Sequence, residues 1–474
     1  MSEAPNPAAL AALETQVRRE IDLLADPGQS WVRPRQHPSG RHVFDVLIIG
    51  AGQSGLGAAF ALKREGVTNT ICVDENPEGL EGPWMTYARM ITLRTPKHLT
   101  GVETGLPSLT YRAFHEAQWG EASWQALDKI PRSGWMDYLR WFRRATGLDV
   151  RNGAKVTGVA RESEDVFAVS IADDPTPALA RKVVLATGIQ GGGEWHVPPF
   201  IRDNLPSELY AHTSAPIDFT KLKGKRIGIL GAGASAFDNA QHALNEGADR
   251  VQVFVRRKRL PRVNPIRHME RTGLAKRYAF LDDARKYAAL SHYLRLAMPP
   301  TNDTFQRAKS HPGFRLHLGT PWEAVSYDNG QAVVTTPYGD HRFDFLIVST
   351  GILNDLSLRP ELAGFITDIA LWRDRFTSSE ASMPEIDSHP YLGRGFELTG
   401  KDEQAARRLK GLFLFNYSAL ASMGLSASAL SGLRYALPRL VEGVAGQLFI
   451  DDQDEILGSF YAYDEAEFVS AEGD

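Results

Sequence analysis

The chain has 474 residues and a formal net charge of −4, enough length for two or three domains with substantial cores. That charge balance excludes the global basic field of a nucleic-acid binder, and no apolar run reaches the length of a membrane span. The single cysteine, Cys72, excludes an intrachain disulfide and a redox-active cysteine pair, and with no secretory leader at Met1-Ser2-Glu3-Ala4 it fits a cytoplasmic setting.

Residues 1–42 read as an N-terminal helical extension. Leu10, Leu13, Val17, Ile21 and Leu24 recur at spacings of three and four, and Asp26-Pro27-Gly28 ends the run. This face packs on the core or on a second copy in a homodimer. The apolar run Val46-Leu47-Ile48-Ile49 then leads into Gly50-Ala51-Gly52-Gln53-Ser54-Gly55 and an alanine-rich helical stretch. A strand, a tight glycine turn and a helix N-terminus are what a dinucleotide pyrophosphate needs. The next strand, Asn69–Val73, ends at Asp74 and Glu75. A carboxylate there accepts ribose hydroxyls and repels a 2′-phosphate, which suits FAD or NAD.

Residues 76–128 are loop-rich and carry Trp84, Tyr87, Trp119 and Trp124, and a helix follows around Trp135–Phe142. Short strands over 148–182 end in Val183-Val184-Leu185-Ala186-Thr187-Gly188. A second strand and turn, Ile227–Leu230 and Gly231-Ala232-Gly233-Ala234-Ser235-Ala236, repeats the pattern. Its partner strand, Val251–Val255, is followed by Arg256-Arg257-Lys258-Arg259 with no carboxylate. The basic run is either a solvated loop or a forked site for a 2′-phosphate; its place directly after the strand favours NADPH.

Residues 260–318 are helical, basic and aromatic, and two readings stand: a substrate lid, or a solvated charged face. A strand at Phe345–Gly351, a long loop, Leu412–Phe415, a helix from about Ser426 and an acidic tail complete the chain. The expected fold is α/β, with two Rossmann-like dinucleotide-binding domains. In chain order these are an extension (1–42), a leading FAD-domain segment (43–212), an NADP domain (213–343) with a helical insert (260–318), a returning FAD-domain segment (344–450) and a tail (451–474).

The order of first turn, Ala186-Thr187-Gly188, second turn and Ser349-Thr350-Gly351 resembles the class B flavoprotein monooxygenases, which include flavin-containing monooxygenases, Baeyer–Villiger monooxygenases and amino-acid N-hydroxylases. The resemblance covers residues 43–440 and implies an NADP domain inserted into an FAD domain. It implies that Arg256, assisted by Arg257, meets the 2′-phosphate, that Gly82-Pro83-Trp84 lies near the flavin, and that Leu425-Ser426 leads into the last FAD-domain helix. The family's Phe-x-Gly-x-x-x-His fingerprint survives only as His212, with Glu208 and Pro206 in the glycine and phenylalanine positions. No asparagine stands near Leu93-Arg94-Thr95, where flavin-containing monooxygenases place one.

The chemistry implied by the resemblance is hydride transfer from NADPH to flavin, then oxygen activation as a C4a-hydroperoxide. The substrate is a small molecule oxidised by O2 at nitrogen, sulfur or a carbonyl carbon. The cofactor carries the reaction, which accounts for the absence of a catalytic triad or of histidines at metal-ligand spacing. Arg94 is a candidate for stabilising a peroxide or a bound acid, with an ordinary ion pair as its alternative. His212 is a hinge or surface histidine, or else a proton donor. The helix near Ser426 is placed to aim its dipole at the flavin. Two other functions fit the same motifs: an NADPH-dependent flavin reductase or oxidase, and a non-catalytic NADPH sensor.

Overall fold

The computed structural model describes residues 5–271, 273–378, 381–427 and 429–468. The outermost residues of the extension (1–4) and of the tail (469–474) lie outside them. A mixed sheet and a parallel sheet form the framework. The central strands of the first, such as Val43–Ile49, are near-continuous apolar runs, as expected for strands covered on both faces. Val43–Ile49 pairs in parallel with Thr70–Val73 on one side and Ala178–Leu185 on the other. Thr70–Val73 pairs onward with Val150–Arg151. Ala178–Leu185 shares its far edge: Phe167–Ile171 runs antiparallel against its first half and Leu412–Leu414 parallel along its last residues. Val156–Arg161 completes the antiparallel edge.

The second sheet has five parallel strands in the order Phe314–Leu318, Arg250–Val255, Arg226–Leu230, Phe345–Val348, Tyr210–His212. A three-stranded antiparallel meander over Ala324–Phe343 packs on it through Phe254, Trp322, Val334 and Phe343. An antiparallel ribbon, Gly193–Trp195 with Ile352–Asn354, joins the two connections between the sheets.

Several boundaries differ from those expected from the sequence. Tyr210–His212 and Phe345–Val348 belong to the second sheet, so the crossovers lie at the ribbon and not at 212/213 and 343/344. An apolar run looks the same whichever sheet accepts it; only its pairing partner distinguishes them. The insert holds the helices Pro265–Arg271, Leu274–Arg277 and Asp283–Leu296, but Asn302–Lys309 packs on the second domain's own helix through Phe305 and Ala308, and Phe314–Leu318 is a sheet strand. The loop-rich region contains a helix, Tyr111–Ala126, kinked at Gly120, where φ is +77°.

The last long helix spans Leu430–Asp451, starting four residues beyond Ser426. Ser426 does not cap it; Ala429 holds the cap position and gives no side-chain bond. The tail does not begin at 451 either. Asp452 is buried and accepts from Arg181 (2.7 and 2.9 Å) and Arg35 (2.6 Å), while Asp451 pairs with Lys182 and Lys410. A short helix, Gln453–Tyr461, follows. These acids are therefore structural anchors on the first sheet, and removing either partner would strand a buried ion. Among the described residues no helix is long and apolar enough to cross a membrane, and no acidic, histidine or cysteine group could hold a metal.

Candidate functional site

Steric exclusion shapes the first glycine turn. Gly50 has φ +102°, and a β-carbon there would stand 2.6 Å from the Ala186 carbonyl oxygen, so the position needs glycine twice over. At Gly55 a β-carbon would come within 2.9 Å of the Gly50 carbonyl carbon and closer still to its oxygen. That proximity seats the helix Gln53–Arg64 tightly on the turn. Gly52 is different. Its backbone is ordinary and extended, and the nearest atom to a β-carbon would be Gly82 Cα at 3.8 Å. The room it leaves opens into a cleft of about 550 Å³.

Gly50, Gly52, Gln53 and Ser54 form one end of that cleft, and Glu75, Trp84, Tyr87 and Gly188 line it further along. The helix N-terminus has no side-chain cap at Gly52, so its first N–H groups have no side-chain partner, the arrangement that receives a pyrophosphate. Gln53 Oε1 and Trp84 Nε1 are buried without a hydrogen-bond partner. One is an acceptor and the other a donor, and a dinucleotide with polar ring edges supplies both complements. These residues fit FAD. Trp84 also packs edge-on against Trp135 at 6.3 Å, so it serves both the cleft and the core.

The carboxylate next to the turn also has a structural role. Asp74 Oδ2 accepts the Ala51 N–H at 2.8 Å, and Oδ1 accepts from the Asn76 backbone (2.8 Å) and side chain (3.0 Å). It is buried and fastens the glycine turn, and together with the exposed Glu75 it lines the cleft. Leu425 and Ser426 are buried near this end: Ser54 Oγ donates to the Ala427 carbonyl at 2.5 Å, and Leu425 packs with Tyr287 of the insert. Tyr287 and Tyr293 of the insert thus pack with the first domain, while Phe280, Arg262, Arg271, Lys276, Arg277 and Arg285 are exposed.

The second turn repeats the first with one change. Gly231 has φ +138°, and a β-carbon would lie 2.9 Å from Ser349 Cβ and closer to its carbonyl oxygen. Gly233 has open space around it. Ala236 replaces the third glycine and is fully buried in the domain core, where a methyl group fills the helix–strand contact. Ala234 is buried and Ser235 exposed at the start of the helix Ala234–Asn245. Arg256 and Arg257 are exposed at the end of the Arg250–Val255 strand, each free of carboxylate partners among the described residues. Gly188 and Gly351 hold positive φ at the two Thr-Gly turns, +69° and +80°.

Arg94 forms an ion pair with the buried Asp238 in the second turn of that helix, so it bridges the two domains. Thr304 donates to the other Asp238 oxygen at 3.1 Å, and Arg267 of the insert donates to the Arg94 carbonyl at 3.1 Å. His212 is buried, not a surface residue. Its ring stacks on Trp195 at 5.2 Å, and Nδ1 accepts the Ser214 N–H at 3.1 Å, which puts the proton on Nε2. Burial depresses its pKa to about 4. The ring is neutral at pH 7, and its Nε2 is buried without a hydrogen-bond partner.

Loops remote in sequence supply the rest of the first cleft. Lys155 precedes a strand at the sheet edge, and Arg359 and Glu361 form an ion pair (2.7 Å) beside a 3₁₀ segment. No periodicity marks these positions; only the cleft brings them together.

A model of the pyridine nucleotide-disulphide oxidoreductase family matches residues 47–269. An FAD-dependent urate hydroxylase of Xanthomonas campestris pv. campestris is 55% identical over 97% of this chain and 98% of that protein. The chain belongs to the class B flavoprotein monooxygenase family. It is an FAD-dependent monooxygenase of the two-domain, FAD- and NADP-binding type. The fold agrees with solved structures. An ornithine N-hydroxylase of Kutzneria superposes with a TM-score of 0.67 at 16% identity, covering 85% of this chain and 99% of that one. An L-lysine 6-monooxygenase of Pseudomonas syringae gives 0.66 at 16% identity, with 85% and 99% covered. Disulfide chemistry is closed to this monooxygenase within one chain. Cys72, its only cysteine, is fully buried in the first sheet, and burial pushes its thiol up to about 12.

Proposed function

We propose that this chain is an FAD- and NADPH-dependent monooxygenase that hydroxylates urate or a closely related purine. The observation that carries the reading is the 55% identity to an FAD-dependent urate hydroxylase over nearly the whole of both chains. The site residues support it. The uncapped helix start at Gly52 and Gln53 receives the FAD pyrophosphate, Glu75 takes the ribose, and Trp84 walls the cleft. The turn at Gly231–Ala236 takes the nicotinamide dinucleotide, and Arg256 and Arg257, without carboxylate partners among the described residues, meet a 2′-phosphate. When bound, the flavin supplies the hydride acceptor and the oxygen chemistry, by the C4a-hydroperoxide route expected from the family. A purine replaces the amines, sulfides and ketones that the motifs alone suggest.

The test is substrate-stimulated NADPH oxidation by the purified yellow protein. Urate should accelerate NADPH and oxygen consumption and disappear in step with them. If urate is neither consumed nor stimulatory while another class of small molecule is, the purine assignment fails and the monooxygenase assignment stands.

A further inference from the structure

A second cleft, of about 320 Å³, lies between the two domains, apart from both glycine turns. Met85, Thr86, Arg89 and Arg132 come from the first domain, and Phe219 and His242 from the second. Two guanidinium groups in it are held by uncharged acceptors only. Arg89 Nη1 donates to the Thr86 carbonyl at 2.8 Å, and its Nε is buried with no partner. Arg132 donates from Nε to the Met90 carbonyl at 3.0 Å and from Nη1 to the Trp84 carbonyl. Burial and the charge of Arg132 both depress Arg89, and no carboxylate offsets either residue.

Two exposed acids, Asp218 and Glu246, line the cleft as well, and neither forms an ion pair with the two guanidinium groups. Asp218 accepts from Thr220 N (3.2 Å) and Oγ1 (2.6 Å) and faces Lys221 at 3.6 Å. Glu246 lies exposed one helical turn beyond His242. Phe219 forms the floor, with the Arg89 guanidinium 5.3 Å above its ring and His242 edge-on at 4.5 Å.

Two half-buried like charges without a counter-ion are costly, and an unfilled buried donor adds to that cost. A doubly charged oxyanion relieves both, and the guanidinium fork matches its geometry. The volume falls at the small end of small-molecule sites and exceeds a bare tetrahedral ion, while Met85, Ile217 and Phe219 provide apolar surface for an organic body. We propose that this cleft binds a small phosphate monoester that bridges the two domains. Arg132 also holds the carbonyl of Trp84, and Thr86 lines both clefts, so this occupant adjoins the wall of the FAD cleft.

The experiment uses the full chain loaded with FAD and saturated with NADP⁺, so that both glycine turns and the 2′-phosphate site are filled. Inorganic phosphate and glycerol 3-phosphate are titrated calorimetrically against sodium chloride of equal ionic strength. The proposal expects saturable binding to one site with both phosphates and none with chloride. Arg89→Gln and Arg132→Gln should each weaken it at least tenfold, and Arg256→Ala should leave it unchanged. Arg89→Lys keeps the charge over Phe219 but loses the fork; it should retain FAD and weaken binding several-fold, and it replaces Arg89→Gln should that variant lose its flavin. Phosphate binding no better than chloride, binding undiminished in the Arg89 and Arg132 variants, or binding abolished by Arg256→Ala would each overturn the proposal.

Discussion

Replacing Gly52 with valine should separate folding from flavin binding, because the structure gives the glycines of the first turn different jobs. At Gly52 the backbone is in the extended region that valine adopts, and the nearest protein atom to a β-carbon stands 3.8 Å away. The protein itself should therefore lose no more than about 1 kcal/mol, the scale of changes at a helix N-cap. The added methyl groups instead enter the FAD cleft. A ligand held at a hundred times its Kd stabilises the folded state by about 2.7 kcal/mol, and the variant forfeits that amount. Gly55→Ala is the contrasting case. Its methyl carbon would overlap the Gly50 carbonyl, and overpacking of this kind costs about 1–3 kcal/mol or more in the apoprotein itself. Flavin absorbance per chain and thermal unfolding with and without added FAD distinguish the two. Gly52→Val should be colourless, unfold like wild-type apoprotein and show no shift with FAD, while Gly55→Ala should unfold early under both conditions. A fully yellow Gly52→Val with a wild-type FAD shift would refute the assignment of this turn.

Arg256→Ala should weaken NADPH use by about 10- to 150-fold and leave NADH almost unchanged, since charge-assisted bonds contribute about 1.5–3 kcal/mol and each 1.36 kcal/mol is a factor of ten; equal losses with both cofactors would make the arginine structural. Trp84→Ala should raise the hydrogen peroxide released per NADPH by admitting water to the cleft, measured with a peroxidase-coupled assay, and unchanged coupling would reduce Trp84 to core packing. Burial raises the Asp45 carboxyl from 3.8 to about 6, and the neighbouring Arg181 offsets only some of that. Its proton is held more tightly folded than unfolded, so its contribution is fully favourable below pH 3.8 and is lost as pH rises toward 6. Asp451 and Asp452 have the opposite sign: their folded values lie below the ordinary range, and their contribution is lost as pH falls below about 4. Asp45→Asn should flatten the unfolding free energy between about pH 4 and 6 without altering the acid limb, and an unchanged slope would contradict this balance.

Both glycine turns are legible in the sequence because each is local: strand, tight turn and helix follow one another within about a dozen residues. The interval to the next strand is equally readable, yet the bond by which Asp74 fastens the turn is not. Asp74 lines the cleft and at the same time accepts the Ala51 N–H, 23 positions back in the chain. Phe345–Val348 shows the same limit in the fold, since its apolar run carries no mark of the sheet that accepts it. Ser426 looks like a helix start, but its segment is drawn against the first domain's glycine-turn helix by Ser54, and the last helix begins only at Leu430. Arg94 has the chemistry of a peroxide or acid group as well as of an ion pair, and the partner that decides between them, Asp238, lies 144 positions away. Contacts of that range have no signature in a single sequence.

On the proposed function, oxygen from O2 enters a purine at the expense of NADPH. Turnover of urate under ¹⁸O₂, with mass spectrometry of the product and parallel counts of NADPH and peroxide, tests it directly. One ¹⁸O atom per molecule of urate consumed, close to one NADPH per product and little peroxide are the expected results. Peroxide near one per NADPH with unlabelled, unconsumed urate would contradict the account and identify an oxidase instead.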